Sequence, residues 1–342
     1  MLKLSQNGCS VWVASSSNEE LLTPTAVALG KFDGVHLGHQ RVIQPILHSG
    51  CSQETQQTNI YTNTLQRLYS TVVTFDPHPH EFFTGQPRAL LTPLDEKVAA
   101  LRSLGVQQLV LLPFDRELSA LSPQEFVDNI LIQQLQCQKI SVGEDFCFGK
   151  KRQGTAQDLK ILAAQYNIPV TIVPIKTDTD SLNVCPDAPI STSLIRENLE
   201  AGNIEKANRL LGRPYTLNGI VVEGQKLGRT IGFPTANLQL PKDKFLPHYG
   251  VYAIKVLIPQ KRSDISHQEK LGVMNIGKRP TVNGINTSIE VHLFNWHGDL
   301  YRQELIVQLV QFLRPEQKFS SLEALKNQIQ QDCTIAQQIL KV

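Results

Sequence analysis

The sequence carries almost no net charge: 33 Lys and Arg against 31 Asp and Glu leave +2 over 342 residues. Its basic residues are scattered, so the continuous positive surface of a nucleic-acid binder is not expected. The six cysteines, Cys9, Cys51, Cys137, Cys147, Cys185 and Cys333, include no C-x-x-C pair. That spacing argues against a disulfide framework and against a zinc site, and it suits reduced thiols in a cytoplasm. Long apolar runs are also missing. Stretches such as Leu109-Val110-Leu111-Leu112 are far too short to cross a bilayer. The segment Met1 to Ser17 is broken by Gln6, Asn7 and Gly8 where a secretory signal has its apolar core. A cytoplasmic protein without membrane or nucleic-acid partners is expected, as a monomer or a transient homo-oligomer.

What is present is length and rhythm. A chain of 342 residues exceeds what one hydrophobic core usually supports, which points to two domains. From about Val27 to Pro174, short β-rich runs alternate with helical patterns. The candidate strands are Ala26–Leu29, Thr71–Phe75, Gln108–Leu112, Lys139–Val142 and Val170–Val173. Between them lie helical segments such as Asp95–Leu104 and Ser122–Leu135, the latter opened by a Ser-Pro cap signal. This is the pattern of a parallel α/β sheet. A Gln-, Thr-, Ser- and Asn-rich interval, 49–69, reads as an exposed insertion. Polar residues 177–189 lead to a helical region, 193–211, with a turn signal at Ala201-Gly202-Asn203.

Beyond Tyr215 the segments Thr216–Val222, Val251–Ile258, Leu271–Ile276, Ser288–Leu293 and Leu305–Phe312 follow one another without helices. They suggest an antiparallel barrel or sandwich. A closing helix, Ser321 to about Leu340, is expected to pack through Leu322, Leu325, Ile329, Ile335 and Ile339. The domains are expected at 1–205 and 206–342.

Two runs carry chemistry. The first, Gly30-Lys31-Phe32-Asp33-Gly34-Val35-His36-Leu37-Gly38-His39, lies where a strand turns into a helix. Free amides at such a helix start attract phosphate, Gly30 and Gly34 permit a tight turn, and Gly38 admits a nucleotide to the backbone. His36 and His39, three apart, share a face of one helical turn and are suited to donate to the oxygens of a triphosphate under attack. Taken alone, such a pair is more often surface decoration or a packed polar pair. Ser191-Thr192-Ser193 with Arg196 one turn on offers hydroxyls and a cation to the same anion, or an ordinary helix cap with a solvated arginine.

The second run is Gly228-Arg229-Thr230-Ile231-Gly232-Phe233-Pro234-Thr235-Ala236-Asn237, which lacks the G-K-[ST] ending of a Walker loop. Thr235 and Asn237, two apart, point the same way in an extended chain and are suited to ligate one Mg²⁺. Gly228, Arg229, Thr230 and Gly232 supply open amides and donors for ATP phosphates. Downstream, Ser288–Leu293 alternates, with Ile289, Val291 and Leu293 on one face and Glu290 and His292 on the other. A carboxylate so placed is a candidate base for a phosphoryl-accepting hydroxyl, or simply an exposed strand residue.

The H-x-G-H run resembles the signature of nucleotidylyltransferases. The whole pattern, G-R-T-x-G-F-P-T-A-N, Gly250-Val251-Tyr252-Ala253, Asn275 to Thr281 and Glu290-Val291-His292-Leu293, resembles the bacterial bifunctional riboflavin kinase/FMN adenylyltransferases, also called FAD synthetases. The resemblance covers about residues 25 to 332, apart from the polar insertion. It implies a Rossmann-like α/β nucleotidylyltransferase domain followed by an antiparallel β-barrel riboflavin kinase domain with a terminal helix. It implies two reactions, ATP-dependent phosphorylation of riboflavin to FMN and adenylylation of FMN by a second ATP to FAD and pyrophosphate, with Mg²⁺ as cofactor. Glu290 becomes the kinase base, and His36, His39 and Arg196 the adenylyl-transfer groups. Thr74–Pro79, Leu112–Asp115 and Val142–Gly149 also resemble the family, which adds Asp76, His78 and Asp115 as candidates to touch FMN or adenine, or simply to form turns and caps, and Asn275 and Arg279 as flavin-contact candidates. The chain departs from the family pattern at Cys147, Asp115, Lys31 and the Ser-Thr-Ser order. Two other readings remain open: a nucleotide- or flavin-binding regulator that keeps the motifs as contacts, and a different adenylyltransferase or a small tRNA synthetase-like protein built on H-x-G-H.

Overall fold

The computed structural model describes residues 4–6, 9–13, 21–47, 68–177, 189–224, 227–259, 267–281 and 284–341, with the backbone alone for 4–13, 227, 229, 279–281 and 284–286. The polar intervals read as an insertion and a linker lie outside the described residues, apart from their ends. The chain divides into two compact units, Met1–Ser191 and Thr192–Val342.

The first unit holds a seven-stranded sheet of order β1-β2-β5-β4-β3-β6-β9. Its strands are β1 (Leu4–Gln6), β2 (Cys9–Val13), β3 (Thr25–Leu29), β4 (Tyr69–Asp76), β5 (Gln108–Pro113), β6 (Cys137–Gly143) and β9 (Val170–Val173), with a small β7–β8 hairpin (Cys147–Phe148 and Gly154–Thr155) beside them. All pairings in the sheet are parallel except β1 with β2. Every run that the sequence singled out as a strand of this half is a strand, with ends shifted by a few residues. The addition of β1 and β2 at one edge was not foreseen.

The sheet's connections include α1 (Leu37–Leu47), α2 (Pro79–Thr84), α3 (Leu94–Ser103), α4 (Arg116–Ala120), α5 (Pro123–Glu125) and α6 (Ala156–Ala164). Ser122 caps α5 through a reciprocal box with Glu125, as the Ser-Pro signal led one to expect, but the chain then widens into a π-helix, Phe126–Gln134. The central strands are apolar on both faces because each face is covered. Val27, Leu29, Val73 and Val110 face one buried cluster, while Ala26, Ala28, Val72 and Leu109 face the other with Ile43, Ile46 and Leu101.

The second unit begins with α7 (Thr192–Glu200) and α8 (Ile204–Leu211), broken at the expected Ala201-Gly202-Asn203 turn. It starts ahead of position 206 because α8 is bonded to the strands that follow. Asn208 accepts from the Tyr215 N–H at 2.7 Å and donates to the Leu309 carbonyl at 2.8 Å. The strands are β10 (Tyr215–Val222), β11 (Ala236–Gln239), β12 (Gly250–Pro259), β13 (His267–Thr281), β14 (Gly284–Leu293) and β15 (Glu304–Pro315), closed in the order β10-β11-β14-β13-β12-β15. This resolves the choice between barrel and sandwich in favour of a barrel.

The terminal helix α10 (Leu322–Leu340) is capped by Ser321, and its packed face keeps part of the expected set. Ile329 and Ile339, with Cys333, Ala336 and Leu340, pack with Val251, Ala253 and Val273, whereas Leu322 is 65% and Ile335 45% exposed. A polar tie was not foreseen: Arg314 grips the buried Asp332 carboxylate in a fork, Nε to Oδ1 at 2.9 Å and Nη2 to Oδ2 at 2.7 Å.

Candidate active sites

In the first unit, the β3–α1 loop is held in a costly shape. Phe32 and Val35 have φ of 48° and 42°, and Gly34 has φ of 89°. Left-handed backbone is unusual for an aromatic and more so for a β-branched residue, at about 1–3 kcal/mol each. The surroundings hold it there. Thr92 Oγ1 accepts from the Gly34 N–H at 2.9 Å while the Thr92 N–H donates to Asp33 Oδ1 at 3.2 Å. Thr74 Oγ1 donates to the Lys31 carbonyl at 2.9 Å. Phe32 and Asp33, within the run read as a nucleotide-binding loop, are buried, and their side chains help to shape the loop.

The His36 and His39 imidazoles stack, with centroids 3.6 Å apart and planes at 19°, and Phe32 abuts His39 at 5.2 Å. The His39 N–H donates to His36 Nδ1 at 3.3 Å, which leaves the His36 proton on Nε2. Gly38 suits this packing: a Cβ there would stand 3.1 Å from the His36 ring, a contact that would press the ring aside by a few tenths of an ångström. The glycine therefore makes room for an imidazole. At the other end of α1, Lys139 Nζ on β6 donates to the Pro45 carbonyl at 2.8 Å.

Basic groups gather near Lys31 and His78, with carboxylates among them. Lys31 has its pKa lowered by partial desolvation and then by Arg152 and Arg88, with Asp145 opposing. His78 is pushed down to about 4 by desolvation, then by Arg88 and Lys31. Its neutral Nδ1 accepts from the His80 N–H at 3.1 Å and so caps α2. Protonation would end that cap and add a cation beside Arg88. The unfolded chain takes up this proton near pH 6.5 and the native one near 4, so the contribution to stability present above about pH 6.5 is lost as pH falls to about 4. In a ¹H–¹³C titration the His78 Cε1 resonance is expected to move with a midpoint near 4, and a midpoint near 6.5 would contradict this environment.

Asp115 caps α4 by accepting from the Leu118 N–H at 2.8 Å. Asp76 ends β4 in an exposed position. Beside them Phe75, Phe82 and Phe83 pack edge-on around Phe114 at 5.5, 5.3 and 5.7 Å, with Phe83 71% exposed. This ring cluster, Thr92, Arg88 and Arg152 were not foreseen, because nothing in their local spacing separates them from ordinary core and surface residues. Ser191 closes the first unit, while Thr192, Ser193 and Arg196 lie on α7 in the second. There the Arg196 guanidinium lies 4.6 Å over the Phe245 ring.

In the barrel, Ile289, Val291 and Leu293 are buried while Glu290 and His292 are partly exposed, as the alternation required. The register aligns three polar residues across three strands: Asn237 on β11 faces Glu290 on β14, and Glu290 faces Asn275 on β13. Thr235 Oγ1 donates to Glu290 Oε2 at 3.5 Å. The sequence-derived ligand pair and base thus come together, with Asn275 beside them. Gly224 was overlooked: a Cβ there would collide with the Asn237 amide. The residues Gly228, Arg229 and Thr230 belong to a single helical turn, α9 (Leu227–Thr230), and Gly232 follows with φ of 90°. Gly228 accepts at its carbonyl from the Phe233 N–H at 2.8 Å, which folds the run back towards Thr235. The side chains of Arg229 and Arg279 lie outside the described residues.

Both halves match family models: residues 18–185 match FAD synthetase and residues 211–340 match riboflavin kinase. Similarity to curated relatives runs through both. The chain is 38% identical to the bifunctional riboflavin kinase/FMN adenylyltransferase of Listeria monocytogenes over 90% of this chain and 89% of that one. The chain belongs to that family. To the Escherichia coli K12 member it is 38% identical over 90% of each chain. A solved structure described as a macrolide-efflux protein from Streptococcus pneumoniae matches with a TM-score of 0.77 and 29% identity over 94% of this chain and 97% of that one. Among the described residues of this family member, no helix is long and apolar enough to cross a membrane. The fold expected from the resemblance, an FAD synthetase domain followed by a barrel kinase domain with a terminal helix, is the one observed.

Proposed function

We propose that the barrel phosphorylates riboflavin with ATP and that the α/β unit transfers AMP from a second ATP to the FMN so formed, giving FAD and pyrophosphate. The alignment of Thr235, Asn237 and Glu290 on neighbouring strands carries the kinase half of this reading. Glu290 takes the proton of the ribityl 5′-hydroxyl as that oxygen attacks the γ-phosphorus of ATP, and ADP leaves.

The hydroxyl of Thr235 and the amide oxygen of Asn237 are hard oxygen donors that suit Mg²⁺. Among the described residues no group of three or more His, Cys, Asp or Glu could cage a metal. A site with few protein ligands fits an ion that keeps its waters and reaches the nucleotide's phosphates. Mg²⁺ bound there would neutralise the phosphate charge that builds up during transfer. The chain's own residues do the rest: Gly224 leaves space for Asn237, and the Gly228–Gly232 turn brings the preceding amides near the phosphates.

In the α/β unit, His36 Nε2 and His39 stabilise the α-phosphate as the FMN phosphate attacks it and pyrophosphate departs. Lys31, Arg88 and Arg152 supply the positive surroundings that a polyphosphate needs. The exposed ring cluster around Phe114, next to Asp76, His78 and Asp115, suits the flat isoalloxazine. A cytoplasmic location agrees with the free thiols of Cys137, Cys147 and Cys333.

A time course with purified protein, riboflavin and ATP tests the sequence of steps. With Mg²⁺, FMN is expected to appear first and FAD after a lag. With excess EDTA neither is expected to form. FAD rising without an FMN phase, or full turnover in EDTA, would count against the scheme.

A further inference from the structure

The β11–β14 ladder ends too early to place Thr235. Its backbone pairs are Ala236 with Val291 and Asn237 with Glu290, and continuing that register would bring Thr235 opposite His292, where no ladder bond remains. A side chain takes over at that point. His292 Nδ1 lies 2.9 Å from the Pro234 carbonyl, and since a carbonyl only accepts, Nδ1 carries the proton. The Phe233 and His292 rings meet edge to face at 5.5 Å and 75°, and Phe294, the residue after the strand, stands 6.2 Å away. Proline has no N–H of its own, so this imidazole bond ties down the residue directly before Thr235. The Thr235 to Glu290 contact, at 3.5 Å, is too long to hold the loop by itself.

We infer that His292 is a positioning residue of the kinase site: by holding the Pro234 carbonyl it keeps the Thr235 hydroxyl at the Glu290 carboxylate. The inference rests on the reading of Thr235 as a metal ligand and Glu290 as the base. His292 touches no reacting atom; it replaces a missing ladder bond with a directional one, two residues from the base on the same strand and face.

Four variants test it in the full-length protein: His292→Leu, His292→Asn, Thr235→Val and the double variant. FMN formation is followed against ATP, riboflavin and Mg²⁺, and adenylylation of supplied FMN serves as the control. His292→Leu is expected to lower kinase kcat by about 10- to 100-fold and to raise the Mg²⁺ needed for half-maximal rate by about tenfold or more. The KM for riboflavin and the adenylylation rate are expected to stay unchanged. His292→Asn, whose amide can still donate to the carbonyl, is expected to recover most of the loss. The double variant is expected to be no slower than Thr235→Val, because His292 acts through that residue. If Thr235→Val leaves the kinase intact, the metal-ligand reading fails and the inference falls with it. If Thr235→Val is impaired while His292→Leu is not, or if the two losses multiply, the inference alone is overturned. Should His292→Leu fail to fold, His292→Asn decides: kinase activity close to the parent's is expected, and a loss as deep as that of Thr235→Val overturns the inference.

Discussion

Glu290→Gln is expected to cut FMN formation from riboflavin by about 10²- to 10⁴-fold while FMN supplied directly is still converted to FAD. Glutamine keeps the shape of the side chain and its ability to accept from Thr235, but it cannot take the proton of the ribityl hydroxyl. The alternation along β14 buries Ile289 and Val291 on the other face, so the barrel core does not sense the change and the loss is chemical. Separation of flavins by chromatography, with riboflavin in one reaction and FMN in the other, gives both readings on one preparation. A drop of equal size in both reactions would mean that Glu290 supports the protein as a whole, and an undiminished kinase would remove it as the base.

The second large effect belongs to the other unit. His39→Ala is expected to slow adenylylation of FMN by about 10²- to 10³-fold and to leave FMN accumulating from riboflavin at the parent rate. The imidazole stacks on His36 at 3.6 Å, so its removal takes away one donor and also frees the ring that remains. His39→Gln, which keeps a donor but not the stack, separates these two contributions. If it matches His39→Ala, the stacking is essential, and if it recovers most of the rate, donation is. Adenylylation unaffected by either change would place the transfer chemistry elsewhere.

Much of this was legible in the sequence, for identifiable reasons. Strands buried on both sides wrote themselves as unbroken apolar runs, and the half-buried β14 wrote itself as an alternation that fixed the direction of Glu290. The start of α10 was visible at Ser321, and Ile329 and Ile339 of its expected face do pack; the fork between Arg314 and Asp332 was not visible, because it joins strand and helix across 18 positions of chain. Phe32 and Asp33 sit within a phosphate-loop pattern, which does not say which way their side chains turn. Only the backbone, with φ of 48° at Phe32, shows that the loop turns them inward. Thr92 bonds Gly34 across 58 positions of chain, and His292 bonds Pro234 across another 58. Such pairs leave no local trace, since neither residue type nor period changes where they occur.

Closure of the barrel gives each of its six strands a neighbour on both sides, whereas the sheet of the first unit is open, ending at β1 and β9 among the described residues. Any self-association or clumping that proceeds by adding one extended chain to another therefore has its widest opening in the N-terminal half, and in the kinase half the opening narrows to the part of β14 beyond its two pairs with β11.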